Sequence, residues 1–222
     1  MSTQDGPGYD VHCTFCSEIQ FGPEHPQSAY GGFANEAHAS RIIWEDDDLL
    51  VLPTIGPIAA GHTMILTREH YLSFAHVPEE LAHRVEKVTA DLSERIGRFG
   101  SVILFEHGPM SEGALGGACT DHAHLHCLPI GDADIKARID ERLTGRRITS
   151  LADLSEQLQR NQAYVFYRSQ RGESWVYDVT VDLPCQFLRR ITAEAVGNAE
   201  QWDWMVCPRP EVVHQTLSEV SW

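Results

Sequence analysis

Apolar positions along the chain fall into short runs separated by polar and glycine-rich segments. Short runs rich in Ile, Leu and Val are typical of strands, whereas apolar residues that recur every three or four positions are typical of an amphipathic helix. The segment 78–99 has this helical period at Leu81, Val85, Val88, Leu92 and Ile96. The predicted strands on either side of it are 41–44, 49–52, 62–67, 101–105 and 122–128.

The pattern changes after residue 130. A polar, charged stretch is followed by two apolar runs, 163–167 and 175–179, which predict a hairpin. A helix over 185–195 and an aromatic tail around Trp202 and Trp204 follow. The first 40 residues are rich in Gly, Pro, Ser and His, which predicts a mostly irregular arm anchored at a pair of cysteines. The chain therefore divides into an arm, 1–40, a core, 41–130, and a C-terminal extension, 131–222.

Composition and charge narrow the range of functions. With 222 residues, 42% of them hydrophobic, the chain can bury a full core. No run approaches the roughly 18 apolar residues of a membrane span, and the polar N-terminus has no secretory pattern, so we expect a cytoplasmic protein. The formal net charge of -15 argues against partners such as nucleic acid or an anionic membrane. A small anionic substrate remains compatible if a few cations and backbone NH groups gather in one pocket.

Three histidines alternate with apolar residues in the segment 121–128. Successive side chains of a strand point to opposite faces, so His122, His124 and His126 are expected on one face at a spacing of about 6.6 to 6.8 Å. The residues predicted to enter the core from the other face are Ala123, Leu125 and Cys127. Because neutral imidazole is a good nucleophile towards phosphorus, the central His124 is the candidate nucleophile. A metal site without catalysis is the alternative, since imidazole is also a common metal ligand.

A glycine-rich loop precedes these histidines. Gly116 and Gly117 would let backbone NH groups approach phosphate oxygens. Such loops are often only connections between elements. The histidines that follow are therefore the main support for a phosphate-binding role of this loop.

The segment 122–128 resembles the histidine-triad (HIT) signature, in which three histidines alternate with apolar residues. The resemblance extends over 44–52, 60–63 and 67–70, in the order and spacing of that family. It implies an α+β fold with an antiparallel sheet and one long helix, carrying here a C-terminal α/β extension, and a homodimer. It also implies cleavage or transfer at the α-phosphorus of a small-molecule nucleotide, through a nucleotidyl-histidine intermediate.

The resemblance assigns roles to further residues. His124 falls on the nucleophile, His122 and His126 on its neighbours, and Cys119 on a serine near the leaving group of many relatives. Thr54 stands at the position of a ribose-binding aspartate, which removes bidentate capture of the sugar hydroxyls. His107 stands at that of a phosphate-side asparagine. With these two, the residues implied to bind substrate are Trp44, Leu52 and Gly117.

The same resemblance implies a structural zinc site. Relatives with an N-terminal Cys-x-x-Cys often bind Zn²⁺ through residues that correspond to Cys13, Cys16, His70 and His122. Four ligands of N and S type suit a closed tetrahedral site. The alternative is a flexible arm with two free thiols. Six cysteines in a chain of this size favour metal binding or free thiols over a disulfide framework.

Three functions remain open on the sequence. The first is a nucleotide hydrolase or nucleotidyltransferase, and the second is a nucleotide-binding protein with little catalysis, which Thr54 and Cys119 favour. The third is an enzyme redirected to a phosphorus–nitrogen, sulfate or other unusual substrate. The extension could cover the pocket, where either Arg189 or Arg190 could face phosphate, although a solvated face is the commoner role for such a pair. Trp202 and Trp204 could stack on a base, although packing against the sheet is the commoner role.

Overall fold

The computed structural model describes residues 8–113 and 120–222. A single eight-stranded sheet forms its centre, in the order β1-β2-β3-β5-β4-β7-β8-β6, and every neighbouring pair is antiparallel. The strands are β1 Trp44–Glu45, β2 Leu49–Pro53, β3 Thr63–Thr67, β4 Val102–Gly108, β5 His124–Pro129, β6 Gly145–Ile148, β7 Tyr164–Arg168 and β8 Ser174–Asp178. The antiparallel sheet confirms the predicted α+β class.

Among the described residues, six α-helices flank this sheet. They are α1 Thr14–Phe21, α2 Glu79–Ile96, α3 Ile135–Asp140, α4 Ser155–Gln159, α5 Phe187–Ala195 and α6 Pro210–Glu219. Helix α2 is the predicted long helix, and it continues as a 3-10 turn over Gly97–Phe99. No helix in the described part of the chain combines the length and apolar character needed to cross a bilayer.

Two apolar layers cover the two faces of the sheet. On one face, α2 packs through Val85, Val88, Leu92 and Ile96, which confirms the helical period read from the sequence. On the other face, α3 and α5 pack against β4, β5, β7 and β8. The strand and helix residues of this second layer include Ile103, Phe105, Leu128, Ile135, Ile139, Val165, Tyr167, Tyr177, Phe187 and Leu188. His124 and His126 of β5 lie on this second face. Side chains two residues apart in a strand share a face, and Leu128 belongs to the second layer.

Several elements differ from the sequence predictions. Strand β1 is shorter than the predicted 41–44, and β5 begins at His124 rather than at His122. The arm, predicted to be mostly irregular, contains α1, whose N-terminus is capped by the Cys13 sulfur. Helix α5 begins at Phe187 rather than at 185, because Gln186 adopts a left-handed conformation with φ of 56°. Helix α6 was not predicted from the sequence.

The C-terminal segment continues the sheet. Strand β4 pairs with β5 on one side and with β7 on the other, in register from Leu104 opposite Arg168 to Gly108 opposite Tyr164. The predicted hairpin is β7 and β8, which pair from Tyr164 opposite Asp178 to Arg168 opposite Ser174. Residues 131–222 therefore share both the hydrogen-bond ladder and the second apolar layer with the segment before them.

Candidate active site and metal centre

Strand β5 separates reactive side chains from core side chains. Ala123, Leu125 and Cys127 are fully buried in the layer beneath α2, as predicted. His126 is 5% exposed and His124 is half-buried, and both line one cleft on the opposite face. Their rings lie 5.1 Å apart in an edge-on arrangement.

The hydrogen bond of His124 fixes the position of its proton. Its Nδ1 lies 2.6 Å from the carbonyl oxygen of His122. A carbonyl can only accept, so Nδ1 carries the hydrogen and Nε2 keeps its lone pair. Burial lowers the pKa of His124 to about 4, so the ring is neutral at physiological pH. His124 therefore has the protonation state that a nucleophile requires.

A chain of hydrogen bonds fixes the tautomer of His126 in the opposite sense. The backbone NH of Ile58 donates to Nδ1 of His62 over 3.2 Å, so the neutral His62 ring carries its hydrogen on Nε2. That Nε2 lies 3.0 Å from Nδ1 of His126, which must accept. Burial lowers the pKa of both rings well below the usual value. His126 consequently carries its own hydrogen on Nε2.

His107 lines the same cleft from β4. The backbone NH of Leu188 donates to its Nε2 over 3.3 Å, so the neutral ring carries its hydrogen on Nδ1. Burial lowers the pKa of His107 to about 3. This hydrogen bond joins the His107 ring to the first turn of α5.

The cleft encloses about 590 Å³, including its open mouth. Thr54 lies in its wall, but its hydroxyl donates to the carbonyl of Ile55 over 3.1 Å. The described lining residues are Thr14, Phe15, Ala29, Arg41, Thr54, Ile55, Met64, His107, Thr120, His124, His126, Gln186, Arg189 and Trp204. They come from the arm, the strands and the C-terminal extension, so all three predicted segments contribute to one site.

Two residues implied to bind substrate lie elsewhere. Trp44 stacks on Trp222 with ring centroids 4.9 Å apart, and Leu52 packs against Met64 and Leu66 with 1% of its surface exposed. Neither is among the described residues that line the cleft. The positions of Gly117 and Cys119 lie outside the described residues.

The two arginines of α5 have different environments. Arg189 lines the cleft and is 3% exposed. Arg190 lies over the ring of Trp202 at 3.5 Å and donates to the Cys185 carbonyl. Of the two tryptophans considered as stacking partners for a base, Trp204 lines the cleft and Trp202 holds Arg190.

Beside the cleft, four buried side chains converge into a cluster of potential metal ligands. The ligand atoms of Cys13, Cys16, His70 and His122 all lie within 4.8 Å of one another. Nδ1 of His122 is 3.4 Å from the Cys13 sulfur and 3.6 Å from the Cys16 sulfur, and Nδ1 of His70 is 3.4 Å from the Cys16 sulfur. Tetrahedral zinc with ordinary bond lengths places S and N ligands about 3.6 Å apart. The donor set and its spacing therefore fit a closed zinc site.

The surroundings of the cluster suit a metal as well. Nε2 of His122 lies 2.8 Å from the Thr67 carbonyl oxygen, so Nδ1 is free to act as a ligand. A hydrogen bond with Cys13 lowers the pKa of Cys16, while the same bond and burial raise the pKa of Cys13. One thiolate is thus formed readily, and a metal ion would favour the second.

His122 connects the cluster to the cleft. Its ring belongs to the metal-ligand cluster, whereas its carbonyl accepts the hydrogen of His124 Nδ1. The prediction that all three histidines share one face therefore applies to His124 and His126, because His122 precedes β5.

The chain is similar to known proteins over the segment that holds these histidines. The HIT domain model matches residues 35–132. An uncharacterized HIT-like protein from Borreliella burgdorferi is 31% identical over 96 residues, which cover 43% of this chain and 69% of the relative. The chain belongs to the HIT family. Members of this family bind nucleotides and are generally nucleotide hydrolases or transferases.

Other HIT proteins show weaker similarity. A HIT-like protein from Methanocaldococcus jannaschii is 26% identical over 98 residues, covering 43% of this chain and 72% of the relative. The solved structure of a HIT-like protein from Bartonella henselae has 17% identity and a TM-score of 0.42, and covers 69% of this chain and 99% of the other.

The segment matched by the HIT domain model contains only part of the residues that form the cleft and the metal-ligand cluster. The matched residues 35–132 contain His62, His107 and the triad, but neither Cys13 and Cys16 nor the α5 residues of the cleft. Sequence reasoning assigned no role to His62, although it stands in one of the blocks, 60–63, that match the family. Gln186 and Arg41 also went unassigned, and only the three-dimensional contacts bring them to the cleft.

Proposed function

We propose that this protein is a nucleotide hydrolase or nucleotidyltransferase that acts at the α-phosphorus through a covalent nucleotidyl-His124 intermediate. The observation that carries the proposal is the tautomer of His124, which directs an unprotonated Nε2 into a cleft bordered by NH donors. Its partners are a small-molecule nucleotide and a second copy of the chain. Its location is cytoplasmic.

The first step forms a bond between His124 Nε2 and the phosphorus. The bond from phosphorus to the leaving group breaks, and that group departs with the electron pair. Positive charge develops on the His124 ring, where the His122 carbonyl stabilises it through the Nδ1 hydrogen. His126 contributes its Nε2 hydrogen as a hydrogen-bond donor to an oxygen of the reacting group, since His62 holds the tautomer that exposes it.

The second step resolves the intermediate. Water, phosphate or another acceptor attacks the phosphorus from the face that the leaving group vacated. The bond from phosphorus to Nε2 then breaks, the electron pair returns to His124, and an acceptor such as water releases its proton to solvent. Because His124 is half-buried, the intermediate is partly sheltered from solvent.

Zinc is proposed as a structural cofactor, held by Cys13, Cys16, His70 and His122. When bound there, the ion has four protein ligands and no open position for substrate, so it would supply structural stability alone. The four residues would then tie the arm to the backbone that holds His124.

The test is intact-protein mass spectrometry under denaturing, non-acidic conditions, after brief mixing with nucleoside phosphates, sulfates and phosphoramidates. A nucleoside-monophosphate adduct is expected on the wild type and not on His124→Asn. His83→Asn is the matched control, because His83 is an exposed histidine of α2. Nucleotide binding without adduct or turnover would favour a binding protein, and adducts restricted to phosphoramidates or sulfates would favour the redirected enzyme.

A further inference from the structure

Arg189 combines deep burial with an incomplete set of partners. Its side chain is 3% exposed, although arginine is rarely buried without an ionic partner. Nε donates to the Trp202 carbonyl over 2.8 Å, and one terminal nitrogen donates to the Gly56 carbonyl. The other terminal nitrogen, Nη1, is buried and has no hydrogen-bond partner. The fixed guanidinium thus retains an unused donor.

No carboxylate lies within ion-pair distance of Arg189 among the described residues. Asp203 acts on its charge from a greater distance, but the hydrogen bonds of that carboxylate come from Gln186 and the Met205 backbone. Arg41 in the same cleft offers the contrast, because Glu18 binds it through both carboxylate oxygens at 2.7 and 2.8 Å. Arg41 is neutralised within the protein and Arg189 is not.

The described lining of the cleft supplies no carboxylate that could pair with the charge of Arg189. Its described lining contains neither Asp nor Glu, in a chain with a net charge of -15. Leaving a buried cation without a counter-charge is costly, and an anion that enters from solvent would remove that cost. His107 and His126 contribute hydrogens to the same space. The arrangement of donors is therefore suited to an oxyanion.

We propose that Arg189, which lies outside the segment matched by the HIT domain, binds an anionic oxygen of the phosphoryl group presented to His124. In this respect the C-terminal extension takes part in substrate recognition. The inference rests on the proposed function for the identity of the anion, while the anion subsite itself rests on Arg189 and the cleft. With Arg189 bound to the phosphoryl group, the free energy of binding depends more on the charge of the ligand than on its nucleoside.

Binding without chemistry tests this proposal. In a His124→Asn background, isothermal titration calorimetry measures the affinity for AMP, for adenosine and for inorganic phosphate. The variants are Arg189→Gln, which removes the charge, and Arg189→Lys, which keeps it. Arg190→Gln is the matched control, since the guanidinium of Arg190 stacks on Trp202. Circular dichroism and thermal melts establish that each variant is folded.

The expected result is a loss of about 10-fold or more in affinity for AMP and phosphate with Arg189→Gln, because a charge-assisted hydrogen bond disappears. Adenosine binding should be unchanged, Arg189→Lys should keep part of the preference for AMP, and Arg190→Gln should keep all of it. An equal loss for AMP and adenosine, or no loss for either anion, would overturn the proposal. An Arg189-dependent preference for phosphate in a protein whose wild type forms no adduct would uphold the subsite and refute the nucleotidyl-transfer mechanism.

Discussion

His62 illustrates how one residue can control another without contacting substrate. Its Nε2 hydrogen forces Nδ1 of His126 to accept, which leaves the Nε2 hydrogen of His126 for the cleft. Replacing His62 with an apolar side chain would free His126 to place its hydrogen on either nitrogen. The residue that sequence reasoning left without a role is therefore a positioning residue in the proposed reaction.

We expect His62→Leu to lower kcat by about 10- to 100-fold, as for other partners that orient a functional histidine. His62→Gln should recover part of that loss, because its amide can donate to His126. Steady-state kinetics on whichever nucleotide yields the His124 adduct would measure both effects. If Leu and Gln variants lost activity equally, tautomer control by His62 would be refuted, and His83→Asn serves as the neutral control.

The pKa of His124 gives a second prediction at this scale. Burial lowers that pKa to about 4, so the ring stays neutral as pH falls through the usual titration range of histidine. The rate of adduct formation should therefore be level from about pH 8 to pH 5 and decline only as protonation begins near pH 4. Rapid-quench mass spectrometry across this range would measure it. A decline centred near pH 6.5 would show that burial does not control the nucleophile.

At the scale of elements, helix α1 connects the arm to the segment that leads into β5. It carries Cys16 into the metal cluster and Glu18 against Arg41, and Cys13 caps its N-terminus. Eight residues form a helix too short to be stable alone. Its stability must come from these tertiary contacts. The metal-ligand cluster brings the largest number of them together at one point.

Loss of the metal should therefore loosen α1. We expect wild-type protein to contain about one zinc ion per chain and Cys16→Ser to contain little, as measured by plasma mass spectrometry. The melting temperature should fall by several degrees, since about 1 kcal/mol corresponds to roughly 2–4 °C in a chain of this size. Cys207→Ser is the control, because Cys207 is a half-exposed free thiol outside the cluster. Equal zinc content in both variants would refute the metal assignment.

The sequence predicted elements with strong periodicity and missed elements whose stability comes from distant contacts. Helix α2 and the β7–β8 hairpin follow from local patterns, as does the burial of Leu125 and Cys127. Helix α1 does not, because its contacts are with residues far along the chain. The start of β5 was misplaced for a similar reason, since His122 extends the alternation but its ring joins the cysteines.

The candidate site divides along the same line. Local patterns and family resemblance placed His124, His126 and the four residues of the metal cluster, which the structure brings together. Trp44 and Leu52 were carried over from the resemblance and lie outside the cleft. Arg189 could be named only as one of two candidates, because no local pattern shows which face of α5 meets the cleft.

For the whole molecule, the central fact is the position of β4 between β5 and β7. With β7, β8 and β6 removed, β4 would have an exposed edge, and the layer formed by Ile103, Phe105 and Leu128 would lose its cover. We therefore expect the segment matched by the HIT domain, 35–132, to be unstable without residues 133–222.

We expect a chain truncated after residue 132 to show no cooperative thermal transition and to aggregate, while the full chain melts cooperatively. Circular dichroism and size-exclusion chromatography on the two proteins would show this. The reason is that exposed apolar surface and an unpaired strand edge both favour association. A soluble truncated protein with a sharp transition would instead establish the extension as a separate domain.

The paired β4 also bears on assembly, for which the homodimer remains a prediction. The outermost strands are β1, which has two residues, and β6, which has four. Neither offers a long edge for extending the sheet into a second copy. A dimer would have to form mainly through side-chain surfaces, and light scattering at micromolar concentration would establish whether it forms.

The two attachments of His122 carry a consequence for how such a protein can diverge. Cys13 and Cys16 contribute their side chains to the metal-ligand cluster and to the start of α1, so an ancestor could have gained or lost both without removing the carbonyl that binds His124. At His122 only the ring can change in this way, because the main-chain carbonyl of the same residue binds Nδ1 of His124. A substitution that abandons zinc must still preserve the backbone at this position. Descendants without the metal should therefore keep the main-chain conformation at this position, whereas the side chain can be substituted.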